Sequence, residues 1–84
     1  MSTPLETRIA SQWDSYRRDV VPARAPLIQL QETRRAFYAG AWAALQLLAA
    51  VSSDDVSEDA GAAYIESLHQ ECRDFVASML RGES

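Results

Sequence analysis

Apolar residues recur along this chain at helical intervals in three runs, separated by one proline-bearing gap and one short polar gap. In the first run, Leu5, Ile9, Trp13, Tyr16 and Val20 fall three or four positions apart, while Arg8, Asp14, Arg17, Arg18 and Asp19 lie mostly off that stripe. Thr3-Pro4-Leu5-Glu6 supplies a start signal: a capping hydroxyl, a proline at the first helical position and a glutamate three residues after the cap. A helix is expected over about residues 4–20, with Trp13 and Tyr16 in its core face. It should stop before Pro22. Pro22-Ala23-Arg24-Ala25-Pro26 reads as a stiff extended connector, because each proline disfavours helical angles in the residue before it. Arg24 is thereby held out on a loop.

The second run, from Pro26 or Leu27 to Val51, contains sixteen consecutive uncharged positions, residues 36–51 (AFYAGAWAALQLLAAV), directly after Arg34 and Arg35. A helix this apolar around its girth needs cover on every side, and a chain of 84 residues has little to supply. Self-association is the expected remedy. Its wheel separates into three faces. Leu30, Phe37, Ala41, Ala44, Leu48 and Val51 suit an intramolecular core. Glu32, Ala36, Ala39, Ala43 and Ala50 form a face of small side chains that another helix could approach closely. Gln31, Arg35, Tyr38 and Trp42 form the third, with Arg34 at its margin.

Ser52, Ser53, Asp54 and Asp55 form the second gap, after which either Asp55 with Glu58, or Ser57, can cap a third helix over about residues 56–81. Ala60, Tyr64, Leu68, Cys72, Phe75 and Met79, with Ile65, Val76 and Leu80 alongside, are expected to form its buried stripe, and Gly82 to close it. The pattern therefore predicts one all-α domain over residues 1–84. Its form is a three-helix antiparallel bundle, or a helical hairpin with a packed N-terminal helix, assembling as a homo-oligomer.

Charge modifies this picture. The formal net charge is −4, which argues against duplex DNA as a partner, since neutralising phosphates requires a basic face. Residues 1–51 nonetheless hold six arginines against four acids, or +2, whereas residues 52–84 hold two arginines against eight acids, or −6. Such asymmetry can steer one protomer onto another or focus an anion on the basic segment. There is no lysine; codon bias can produce that, so only the placement of individual arginines carries a functional argument. A single cysteine, Cys72, excludes an internal disulfide, and no leader pattern is seen, so a cytoplasmic location is expected. The neutral run is shorter than the roughly 20 residues a membrane span requires.

The candidate chemistry is modest. Arg34 and Arg35 offer planar forks that pair with phosphate, Tyr38 and Trp42 offer rings on which a base can stack, Gln31 offers an amide for a base edge, and Arg24 can assist from its loop. The same residues also fit a second reading, in which the arginines form salt bridges with Glu32 or with acids of the third helix while Tyr38 and Trp42 pack. Glu66-x-x-His69 has the spacing found in di-iron helix bundles, but its partners are missing and no metal is expected. Cys72 lies three residues after His69 on the apolar stripe, which favours an inert core thiol over a thiol–imidazole pair. With no glycine-rich phosphate loop or nucleophile elbow, neither an enzyme nor a cofactor is expected.

The segment Glu32 to Ala41, reading ETRRAFYAGA, resembles a group of small uncharacterised proteins encoded by tailed bacteriophages and prophages. The likeness extends over most of the chain, including Val20-Val21-Pro22 and Leu68-His69-Gln70-Glu71-Cys72. No activity carries over from that group; the resemblance implies a phage setting. In that setting the expected role is a non-enzymatic counter-defence sponge, binding a cyclic or linear phosphate-bearing nucleotide signal in a pocket between protomers in the host cytoplasm. Two alternatives compete with it. One is an acidic module that inhibits a host protein through Asp54, Asp55, Glu58, Asp59, Glu66, Glu71 and Asp74. The other is a structural or assembly protein of the phage.

Overall fold

A computed structural model describes residues 7–83 and is all-helical, with no strand among the described residues. Helix α1 spans Ile9–Val20, α2 spans Leu27–Ala50 and α3 spans Glu58–Leu80. The chain divides into two units, Met1–Leu45 and Gln46–Ser84.

In the first unit, α1 begins later than the 4–20 span expected from sequence. Arg8 is extended (φ −115°, ψ 162°) and cannot continue a helix toward Thr7, while its carbonyl accepts the amides of Ser11 and Gln12 to close the first turn. The capping signal at Thr3, Pro4, Leu5 and Glu6 lies outside the described residues. Val21 is extended ahead of Pro22, as the ring demands. The connector is otherwise not extended but turned: the Ala25 amide donates to the Pro22 carbonyl at 3.1 Å. A proline restricts its own φ and the residue before it, so Ala23 and Arg24 remain able to make that turn.

The core of this unit is aromatic. Trp13 is buried at 5% exposure, and its ring lies 5.5 Å from that of Phe37, edge-on at 60°. Tyr16 completes the cluster, 5.5 Å from Phe37 and 6.1 Å from Trp13, and is itself 38% exposed. Leu30, Phe37 and Ala41, predicted to face the core, are half-buried; Ala44 and Leu48 on the same stripe are exposed. No residue of α2 is buried. Glu32, Ala36, Ala39, Ala43 and Ala50 are all exposed.

In the second unit, Ser57 supplies the cap of α3, its hydroxyl accepting the Ala60 amide at 3.1 Å, with Glu58 and Asp59 in the first turn to complement the helix dipole. Gly61 is buried against Val51 and Val56. At the other end Gly82 adopts φ +76°, and the amides of Gly82 and Glu83 donate to the carbonyls of Met79 and Ser78, the Schellman pattern that a glycine permits.

The predicted buried stripe of α3 is only partly covered. Tyr64, Ile65 and Leu68 are half-buried, but Ala60, Cys72, Phe75, Val76, Met79 and Leu80 are exposed. The reason is length. The part of α2 that belongs to this unit, residues 46–50, rises only about 8 Å, against about 35 Å for α3. Cys72 is thus a surface thiol and not a core one.

Candidate functional site

The third face of α2 brings four of the predicted site residues together. Gln31, Arg34, Arg35 and Tyr38 line one open depression of about 530 Å³. The helix alone explains the grouping. Positions three, four and seven apart return to one side of a helix, so the four side chains share a strip rising about 10 Å along the axis. Trp42, one turn further on and 66% exposed, extends the stripe but lies outside the lining of the depression. Arg24 is exposed in the turn before α2 and also lies outside it.

Tyr38 links this surface to the core. Its ring sits 6.2 Å from that of Phe37, edge-on at 72°, and Phe37 in turn packs on Trp13 and Tyr16. The aromatic ring at the site is therefore held by the best-packed cluster of its unit. The Arg34 guanidinium lies 5.8 Å from the Tyr38 ring centroid, within cation–π range. Glu32 pairs with Arg35 at 3.9 Å, with both side chains largely exposed. That distance is too long for a hydrogen bond, and a solvent-screened pair of this kind contributes little. Arg35 consequently keeps its donors available to an incoming anion.

The depression is wide enough for a small-molecule ligand but open, because one helix supplies all four lining residues. Chemically it offers two permanent cations, an amide and a ring face within one helical strip. Such a set can pair with phosphate oxygens, read a base edge and stack on a flat heterocycle.

A second concavity of about 510 Å³ occurs where the end of α1 meets the turn, and was not foreseen from sequence. It is lined by Arg17, Arg18 and Asp14 together with Val21, Pro22 and Leu30, among others. The adjacent arginines in the last turn of α1 were its only visible signal. Asp14 offsets their charge there, and Arg18 is already engaged by Asp19 at 3.1 Å.

The Glu66-x-x-His69 spacing leads elsewhere. Glu66 accepts a 2.6 Å hydrogen bond from Arg73, which also donates to Gln70, and Gln70 donates to Asp74 at 2.8 Å. The carboxylate is thus committed to a chain of contacts along α3. Among the described residues, no group of three or more His, Cys, Asp and Glu side chains comes together to hold a metal ion. No helix among them is long and apolar enough to cross a membrane.

No family model, curated protein or solved structure matches this chain.

Proposed function

We propose that this protein is a non-enzymatic homo-oligomer that binds a phosphate-bearing nucleotide through Gln31, Arg34, Arg35 and Tyr38. The observation that carries the reading is the convergence of those four side chains on one depression, with the Arg34 guanidinium beside the Tyr38 ring. A second protomer is the natural source of the missing wall, since ligand sites enclose most of their ligand and this one is open on one side. In a phage setting, which is what the resemblance of the ETRRAFYAGA segment implies, tight binding without turnover amounts to sequestration. The ligand is then a nucleotide immune signal in the host cytoplasm.

Calorimetric titration with a panel of cyclic and linear nucleotides tests this. Wild-type protein is expected to bind at least one of them, and that ligand should raise the melting temperature once in excess over its dissociation constant. The double variant R34A/R35A should lose at least about tenfold in affinity while keeping its helical circular dichroism, because each charge-assisted contact contributes about 1.5–3 kcal/mol. No binding by any nucleotide, or equal binding by the folded double variant, overturns the proposal. If the double variant instead retains capture of a basic host protein, the exposed acids of α3 are the functional surface and Arg34 and Arg35 are incidental.

A further inference from the structure

Each unit leaves large apolar side chains uncovered. Much of what is exposed is apolar. On α3, Phe75 is 59%, Met79 49% and Leu80 79% exposed, with Val76 beside them; in the first unit Trp42 and Leu45 stand out at 66% and 49%.

We infer that a second copy of this chain covers these faces in a crossed arrangement, the first unit of each copy lying against the second unit of the other. The inference rests on the homo-oligomer of the preceding section, but not on its nucleotide. Charge selects the crossing. The first unit carries six arginines against four acids and the second two arginines against eight acids. Like on like would set the two acidic units together and repel, while crossing sets each acidic unit against a basic one. A two-fold axis produces this pairing twice over, because in an isologous dimer every contact from one surface to another is repeated in reverse. The apolar patch then forms the centre of the contact. Glu71 and Asp74, one turn and one residue before Phe75, stand at its rim, where charge governs orientation and rate of encounter.

Sedimentation of the full chain tests the arrangement, at low salt and at about 0.5 M NaCl. A dimer or a multiple of it is expected at micromolar concentration, with its dissociation constant rising at least about tenfold at the higher salt, where the Debye length shrinks to a few ångströms. Two charge-reversed variants provide the second reading: R8E/R17E in the first unit and E71R/D74R in the second. Each alone should self-associate at least about tenfold more weakly than wild type, and in an equimolar mixture the two variants should associate more tightly than R8E/R17E does alone, because one of the two crossed contacts then keeps its wild-type charges. Variants are compared only where their helical circular dichroism matches wild type, and the salt series on the unmodified chain stands without them. A folded monomer at about 100 μM, association that tightens with salt, or a mixture that associates no more tightly than R8E/R17E alone overturns the inference. A salt-sensitive crossed dimer that binds no nucleotide supports it and removes only the nucleotide role.

Discussion

Trp13 meets Phe37 edge to face, with ring centroids 5.5 Å apart, and this contact joins α1 to α2 within the first unit. Trp13 is the one buried large apolar side chain among the described residues, so the unit has no second cluster to fall back on. Truncating a buried aromatic to alanine removes about 3–5 kcal/mol, a large share of what a domain this small possesses. Trp13→Ala is therefore expected to abolish cooperative thermal unfolding followed by circular dichroism at 222 nm, with Trp13→Phe intermediate. A Trp13→Ala protein melting within a few degrees of wild type would show that the cluster is not the core.

Because Tyr38 is anchored by Phe37, its ring is in place before any ligand arrives, and its hydroxyl is not required for stacking. Tyr38→Phe should bind a nucleotide within about threefold of wild type. Tyr38→Leu should lose about 1–3 kcal/mol, the range measured for stacking of a base on an aromatic side chain. Equal loss in both variants, read by calorimetry, would assign the interaction to the phenolic oxygen.

Two glycines of the second unit should respond in opposite directions. A Cβ at Gly61 meets Val56 and Val51 at 3.8–3.9 Å, ordinary contact distances, so Gly61→Ala gains helix propensity without a clash and should stabilise by about 0.5–1 kcal/mol. Gly82 at φ +76° has open space around it, yet its backbone is one that L side chains avoid, so Gly82→Ala should destabilise by about 1 kcal/mol. Chemical denaturation of the two variants beside wild type measures both signs.

The readable parts of this chain were those governed by near neighbours. The extents of α2 and α3, the Gly82 closure and the grouping of Gln31, Arg34, Arg35 and Tyr38 depend on residues within two turns of one another, and spacing along a helix specifies such relations. Ser57 was one of two caps the sequence allowed, and only the path of the backbone chose between them. Coverage was not readable. Periodicity marks Phe75, Val76 and Met79 as apolar and co-facial, but whether anything lies over them depends on the length of the element opposite. In the second unit that element is residues 46–50. The turn at Pro22–Ala25 is not legible for a related reason: the prolines constrain Val21 and Ala25, and Ala23 and Arg24 are left to the surrounding structure.

The two tryptophans sit in opposite surroundings, Trp13 at 5% exposure and Trp42 at 66%. An indole sheltered from solvent emits to the blue of one bathed in it, so the chain carries a pair of intrinsic optical reporters with separate duties. Trp13 registers the loss of tertiary structure, and Trp42, spared that role, registers whatever comes to rest upon it.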